Sequence, residues 1–231
     1  MGQWPARGAL AAAAALGAIT AQPAAAAAAA AAVDAAGVVE AGDWSDAYWE
    51  QELQSRPAHE WYDVSWSQVR HLFATNASIL HVGCGTSSWP DAMAAEGFEA
   101  VHLDGSPALV EELRRRRPAL RFELADARAL PFGDGTFDAV AEKGLLDALL
   151  LSSLSDATQA AAEMHRVLRP GGSLVSLTAY AGPGEEGPVL GSVPWASQVF
   201  ADVLPSESGQ GPVGAYVCTK SAAVGPEVSS A

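Results

Sequence analysis

The sequence predicts a doubly wound α/β domain, in which helices cover both faces of a parallel sheet. Short apolar segments alternate along the chain with segments of helical periodicity, and this alternation is typical of such a domain. The first apolar segment, residues 78–82, ends at a Gly-x-Gly turn. Because doubly wound sheets bind ligands at the carboxyl ends of their strands, this turn marks the predicted site.

The predicted elements follow one another in a regular order. Short apolar runs predict strands, and several of them end at a glycine or an acidic residue. Five strands of the parallel sheet are predicted at residues 78–82, 99–103, 120–124, 137–141 and 173–178, with two further strands at 196–204 and 213–220. Helices are predicted at residues 43–53, 61–74, 90–96, 106–116, 144–151 and 155–168.

Several of these boundaries carry their own signals. Ser87 or Ser88 can cap the helix that follows the first strand. The next helix stops ahead of Pro118, because the residue before a proline disfavours helical backbone. A Pro-Gly-Gly turn at residues 170–172 leads into the fifth strand. The two N-terminal helices are predicted from aromatic residues at helical spacing.

Composition divides the chain into three parts: a leader (residues 1–42), a domain (43–220) and a small-residue tail (221–231). Arg7 is the only charged residue among the first 33. The leader fits three descriptions, namely an alanine-biased extension, an organelle-targeting peptide and a secretory signal peptide. No membrane span is predicted, because alanine is barely apolar and Gln22-Pro23 interrupts the run.

The charge balance restricts the partners. With 13 Lys+Arg and 27 Asp+Glu, the formal net charge is −14. Such a chain is poorly suited to bind nucleic acid, which needs basic groups to displace counterions, and it suits a basic protein. Its two cysteines, Cys84 and Cys218, form no zinc-site pattern, and we expect no metal. We expect a cytoplasmic monomer, or an organelle location if the leader is a targeting peptide.

Polar or glycine residues follow three consecutive predicted strands. Gly83 and Gly85 follow the first strand and permit a tight turn close to a ligand. Asp104, twenty-one residues after Gly83, suits a carboxylate that binds ribose hydroxyls, although it would also cap the next helix. Asp126 follows the third strand, where an acid can bind the amino edge of an adenine or form a turn. Together these residues predict a bound adenosine.

Longer motifs resemble a known family. The segments HVGCGTS, LDGS, ADARALPFGDGTFDAV and RVLRPGGSLVS are similar to those of class I S-adenosylmethionine-dependent methyltransferases. EKGLLDALL, with DAYWEQEL, HEWYDVSW and YVCTK, resembles the eukaryotic lysine methyltransferases that modify translation elongation factor 1A. The resemblance extends over residues 45–220 in collinear order. It implies a Rossmann-like sheet of seven strands with an antiparallel last strand, and S-adenosyl-L-methionine as cofactor.

The resemblance also implies the cofactor-binding residues. These are Gly83 and Gly85 for the methionine part, Asp104 with Gly105 for the ribose, Asp126 and Ala127 for the adenine, Lys143 from strand four, and Trp49, Leu53 and Trp61 from the upstream aromatic motifs. The sequence departs from the family pattern at three positions. Leu53 replaces a usual tyrosine, His81 replaces an acid, and Ser87 replaces a third glycine.

The implied reaction is transfer of a methyl group to a protein lysine ε-amine. Glu142, at the end of the fourth strand, is the candidate residue to orient that amine, and its alternative role is a helix-start acid. Asp147 is interpreted as structural. Two other functions stay open on the sequence. One is a small-molecule methyltransferase of the same fold, and the other is a non-catalytic protein that binds the cofactor and acts by protein interaction.

Overall fold

The computed structural model describes residue 51 and residues 60–178, 187–204 and 213–222. Within these ranges one seven-stranded sheet has the order β3-β2-β1-β4-β5-β7-β6. Its strands are β1 (Ser78–Val82), β2 (Glu99–Asp104), β3 (Arg121–Leu124), β4 (Phe137–Lys143), β5 (Leu168–Thr178), β6 (Trp195–Leu204) and β7 (Val213–Lys220). The predicted α/β class and all seven strands are confirmed.

The directions of the strands indicate where in the sheet a ligand site lies. Strands β1 to β5 pair in parallel, whereas β7 is antiparallel to both β5 and β6, as the resemblance implied. The chain leaves β1 toward β2 on one side and returns to β4 on the other. A reversal of this kind opens a crevice at the carboxyl ends of the central strands. Gly83, Asp104, Asp126 and Lys143, four of the predicted site residues, lie at or just after these ends.

The helices are α1 (Trp66–Val69), α2 (Trp89–Ala95), α3 (Pro107–Arg116), α4 (Leu145–Ser152), α5 (Leu154–Val167) and α6 (Gly187–Leu190). Helices α2 to α5 were predicted, whereas no helix was predicted at α6. The Ser106 hydroxyl caps α3 by accepting a hydrogen bond from the Leu109 N–H, at 3.2 Å. At the other end of the domain, the Lys220 ammonium donates to the carbonyls of His165, Arg166 and Leu168 and so caps the end of α5.

Both faces of the central strands are buried, as a continuous apolar run requires. On one face Leu80, Val140 and Leu174 pack against α5. On the other face Ile79, Ala141 and Val175 pack with the indoles of Trp66 and Trp89. The period of two along each strand divides the apolar residues between these two cores. This three-layer arrangement holds the strand ends in place.

One predicted helix is wrong. Residues 61–74 form a 3₁₀ turn (Trp61–Asp63), α1 and a second 3₁₀ turn (Arg70–Leu72) rather than one helix. Tyr62 and Asp63 have φ angles of 63° and 52°, which a right-handed helix does not allow. Aromatic spacing indicated helix here, but long-range contacts of Tyr62 override it.

Other predictions fall outside the described ranges. The leader lies outside them, as does the helix at 43–53 apart from Gln51. Only two residues of the predicted tail are described. In the ranges that the structure covers, no helix is both long enough and apolar enough to cross a membrane.

Candidate active site

The Gly-x-Gly turn and Asp104 form one unit. Gly83 and Gly85 both take positive φ angles, 65° and 53°, in which glycine is not strained. The Asp104 carboxylate accepts the Gly85 N–H at 2.9 Å and the Ser106 N–H at 3.1 Å. Asp104 therefore joins the ends of β1 and β2. The helix cap that was its alternative role belongs to Ser106.

Small residues border this unit. A Cβ added at Gly105 would meet nothing nearer than the Ala125 carbonyl oxygen, at 3.9 Å. A Cβ added at Gly83 would lie 3.0 Å from the side chain of Leu145. Leu145 thus covers the glycine turn from the start of α4, whereas the surface beside Asp104 and Gly105 is open. An open surface beside a half-exposed carboxylate suits a ribose.

Asp126 forms the turn that was its alternative role. Its carboxylate accepts the Arg128 backbone N–H at 2.8 Å and pairs with the Arg128 guanidinium, which lowers the pKa of Asp126. Arg128 also reaches Asp156 on α5, at 2.7 Å. The Asp126 side chain keeps 48% of its surface exposed, so it is accessible to an adenine. Ala127 is buried in the core beneath it.

Lys143 is buried on the α2 side of the sheet. Its ammonium forms an ion pair with Glu60 and lies 4.7 Å from the ring centroid of Trp89. It also lies 3.3 Å from the Val64 carbonyl oxygen. Burial lowers the pKa of Lys143 to about 7, and removing the Glu60 carboxylate would lower it further. The Lys143 ammonium therefore contacts a carboxylate, a carbonyl oxygen and an aromatic ring of the protein.

Glu60 connects Lys143 to the loop after β1. One Glu60 oxygen accepts from Lys143 and from the Ser87 hydroxyl, at 2.7 Å from the latter. The other accepts the Ser88 N–H at 2.8 Å and the Ser88 hydroxyl at 2.6 Å. Ser87, which replaces a third glycine, also accepts the Trp89 N–H at 3.1 Å. The substitution at Ser87 therefore serves both the start of α2 and the Glu60 contact.

The residues after Glu60 lie at the end of β4. Trp61 packs so closely on Gly144 that a Cβ there would lie 2.5 Å from the indole. The Tyr62 hydroxyl donates to one oxygen of Asp147, and the Thr178 hydroxyl donates to the other at 2.8 Å. Tyr62, Asp147 and Thr178 are all buried. Trp61 therefore lies beside Gly144. The next residue, Tyr62, belongs to a buried hydrogen-bond network with Asp147 and Thr178.

Glu142 occupies the helix-start position. It is fully buried, and one oxygen accepts the N–H groups of Leu145 and Leu146 at 3.0 and 3.2 Å. The other oxygen is hydrogen-bonded to the Ser176 hydroxyl. Burial, with the neighbouring Asp147 carboxyl, raises the pKa of Glu142 to about 8. Because both oxygens contact protein donors, the structure favours the helix-start role over the predicted amine-orienting role.

His81, a departure from the family pattern, is also buried. Its ring stacks on Trp89 with centroids 5.4 Å apart, and its Nδ1 lies 3.4 Å from Nδ1 of His102. Burial lowers the pKa of His81 well below its usual range. The His81 side chain therefore belongs to the core beneath the glycine turn. Trp49 and Leu53, the remaining predicted site residues, lie outside the described ranges.

Sequence reasoning missed Glu60, and it interpreted Asp147 as structural without identifying its partners. Glu60 precedes the tryptophan of HEWYDVSW and lies 83 residues before Lys143, so no local spacing connects the two. Asp147 lies in the first turn of α4, just after the N-cap residue Gly144. This spacing indicates only that both residues lie near the start of the helix. Acids at both positions were visible. Their partners became identifiable only with the fold.

Comparison with known proteins identifies this arrangement. Residues 80–176 match the family described as "Methyltransferase domain". These 97 of the chain's 231 residues are similar to a methyltransferase domain. The match begins within β1 and ends within β5, so it contains the glycine turn, Asp104, Asp126 and Lys143. The predicted resemblance is confirmed, and the match supports S-adenosyl-L-methionine as the cofactor, which the open surface at Asp104 and Gly105 fits.

Two curated relatives differ in what their names state. The mouse (Mus musculus) protein EEF1A lysine methyltransferase 4 is 34% identical over 157 residues, 59% of this chain and 61% of the relative. A demethylmenaquinone methyltransferase of Beutenbergia cavernae is 41% identical over 97 residues, 42% of this chain and 38% of that relative. The chain therefore spans less than two thirds of either relative.

A solved structure supports the fold of the methyltransferase domain. A Thermotoga maritima protein described as a SAM-dependent methyltransferase, possible histamine N-methyltransferase, superposes with a TM-score of 0.58 at 15% identity. The superposition covers 78% of this chain and 100% of that one. At this identity the likeness concerns the fold alone, and it agrees with the mixed seven-stranded sheet.

Proposed function

We propose that this protein is an S-adenosyl-L-methionine-dependent methyltransferase that transfers a methyl group to a protein lysine ε-amine. The observation that carries the proposal is the unit formed by Gly83, Gly85 and Asp104 at the carboxyl ends of β1 and β2. This unit lies within the residues that match the methyltransferase domain. A carboxylate at the second strand end, bonded to the glycine turn of the first, is suited to a nucleoside.

The chemistry places modest demands on the protein. The bound cofactor would supply a methyl group already activated on a sulfonium. The protein then has to align donor and acceptor and exclude water. The lysine nucleophile must lose its proton, and burial in an apolar site lowers the pKa of an amine. Trp61 and Leu145 provide apolar surface beside the glycine turn and the end of β4.

The relatives and the charge balance support a protein lysine as acceptor. The mouse relative is named for lysine methylation of EEF1A. Asp147 does not add to this argument, because its two oxygens accept hydrogen bonds from the hydroxyls of Tyr62 and Thr178, as both oxygens of Glu142 accept from protein donors. We infer that the partner is a basic protein, consistent with the net charge of −14.

A small-molecule methyltransferase is the second candidate. The demethylmenaquinone methyltransferase match, at 41% identity over 97 residues, favours it. That match is shorter than the 157-residue match to the lysine methyltransferase. The identity of the acceptor that becomes methylated therefore distinguishes the protein-lysine candidate from the small-molecule candidate.

A methyl-transfer assay tests the proposal. The full chain is incubated with tritiated S-adenosyl-L-methionine and either a recombinant elongation factor 1A or demethylmenaquinol in detergent. We expect label in the protein fraction, recovered as methyllysine after acid hydrolysis, and loss of at least 90% of it with Asp104→Ala. Label in the organic phase alone would support the small-molecule candidate. Cofactor binding without label in either acceptor would support a non-catalytic role.

A further inference from the structure

The segment from Glu60 to Val64, called the strap below, contacts several parts of the candidate site. Glu60 contacts the loop after β1 and Lys143 at the end of β4. Trp61 lies on Gly144, and Tyr62 donates a hydrogen bond to Asp147 on α4. At the far end of the strap, the Val64 carbonyl accepts a hydrogen bond from the Trp89 indole at 2.9 Å. The strap is thus fixed on both sides of Trp61.

Glu60 makes the densest set of these contacts. Its two carboxylate oxygens accept from four donors, the Lys143 ammonium, the hydroxyls of Ser87 and Ser88, and the Ser88 N–H. The Lys143 side chain is 3% exposed, and the Glu60 side chain is 22% exposed. A cation buried to this extent depends on its partner, because no solvent replaces the lost carboxylate. Glu60 therefore determines where the Lys143 ammonium lies.

Through these contacts Glu60 also determines the geometry around the glycine turn. Ser87 and Ser88 lie two and three residues after Gly85, so their bonds to Glu60 fix the chain between the turn and α2. The neighbouring residue, Trp61, fills the space above Gly144, where no Cβ fits. A single carboxylate thus fixes the turn, Lys143 and Trp61 relative to one another. Interactions that hold a binding site in its bound geometry reduce the cost of ordering on binding.

We propose that Glu60 is a positioning residue for the cofactor site, which holds the glycine turn, Lys143 and Trp61 in a preformed arrangement without itself contacting the cofactor. This inference rests on the proposed function. The proposal assigns a role to Glu60, which lies outside the Gly-x-Gly motif that follows β1. It also explains why this chain has serines after its Gly-x-Gly turn, since both serine hydroxyls donate to Glu60.

The Glu60→Gln variant tests the proposal. Glutamine keeps the size of the side chain but loses the charge that faces Lys143. Binding of S-adenosylhomocysteine to the full chain is measured by calorimetric titration, and KM and kcat are measured for cofactor and acceptor separately. We expect the cofactor Kd and KM to rise at least tenfold, while the acceptor KM and the kcat at saturating cofactor change less than threefold. Ser88→Ala removes one donor and leaves the charge, so we expect a smaller rise.

Two controls separate positioning from a general loss of stability. Glu96→Gln removes an exposed carboxylate that pairs with Arg70 at 2.8 Å, outside the site, and should leave every constant unchanged. Urea unfolding of each variant identifies a temperature at which all variants are folded, and the binding and kinetic measurements are made there. A merely structural role for Glu60 would lower the folded fraction and leave the cofactor KM unchanged. Unchanged cofactor Kd in folded Glu60→Gln overturns the proposal and leaves the proposed function intact. Failure of the wild-type chain to bind overturns both.

Discussion

The Tyr62 hydroxyl donates a hydrogen bond to the carboxyl group of Asp147, 85 residues further along the chain. Burial and the Asp147 charge raise the pKa of Tyr62 well above its usual range, so the phenol keeps the proton that it donates. Tyr62 also has a positive φ angle, which is uncommon for a residue with a bulky side chain. The long-range bond compensates the local backbone cost and interrupts the predicted N-terminal helix.

This bond predicts a coupled pair. Tyr62→Phe leaves the buried Asp147 with one donor fewer, which we expect to lower the free energy of unfolding by about 1–3 kcal/mol. Asp147→Asn alone should also destabilise. The double variant should lose clearly less than the sum, because the second change removes a partner already lost. Urea unfolding of the four proteins measures this coupling. Additive losses would show that the hydrogen bond contributes nothing to stability.

The contact between Trp61 and Gly144 predicts a steric effect. Gly144→Ala places a Cβ 2.5 Å from the indole at a φ angle of 75°, so both overpacking and backbone strain oppose it. We expect a loss of about 2–5 kcal/mol in the free energy of unfolding. Gly97→Ala is the matched control, since its φ angle is 80° but its Cβ would meet nothing within 4 Å. Equal losses in the two variants would contradict close packing of Trp61.

The central strands β1, β4 and β5 were predictable from the sequence, because burial on both faces requires apolar runs. Residues 195–201 of the edge strand β6 are mostly exposed, and this strand carries a weaker signal of this kind. Gly83, Asp104 and Asp126 were predictable as neighbours, because consecutive parallel strands bring their ends together. The break after Trp61 was not predictable, since the hydrogen bond from Tyr62 to Asp147 lies outside any local window.

The sequence left two roles open for Glu142, for a related reason. A carboxyl at a strand end can face either a ligand or the next helix, and the sequence is the same in both cases. The fold selects the helix, since the N–H groups of Leu145 and Leu146 point at Glu142. Glu60 was overlooked because its donors are 27, 28 and 83 residues away. Residues that act through distant partners carry no spacing signal.

The burial of Glu142 can be tested by pH, and its part in catalysis by activity. Its folded-state pKa, about 8, lies above the ordinary value of 4.5, so the protonated form favours folding. The associated stability is complete below pH 4.5 and is lost as the pH rises toward 8, by up to about 1.4 kcal/mol per pH unit. Glu142→Gln cannot ionise and should gain stability relative to wild type over this range. Its kcat should stay within threefold, whereas a hundredfold loss would restore the amine-orienting role.

The buried histidines predict the opposite pH dependence. Burial, reinforced by Arg117, lowers the pKa of His102 to about 4. A lowered histidine pKa contributes stability that is present above about pH 6.5 and is lost as the pH falls toward 4, again by up to about 1.4 kcal/mol per unit. His102→Gln should flatten this loss, measured by urea unfolding at pH 7 and 5. A pH slope in His102→Gln equal to that of the wild-type chain would contradict a lowered His102 pKa.

The proposed function depends on Asp104 and the glycine turn as the nucleoside site. Calorimetric titration of the full chain with S-adenosylhomocysteine, alongside Asp104→Ala, measures this dependence. We expect micromolar binding by the wild-type chain and at least a tenfold weaker affinity for the variant, which loses both the proposed ribose contact and the bond to the Gly85 N–H. Absence of binding by the folded wild-type chain, or equal affinity in the variant, would contradict it.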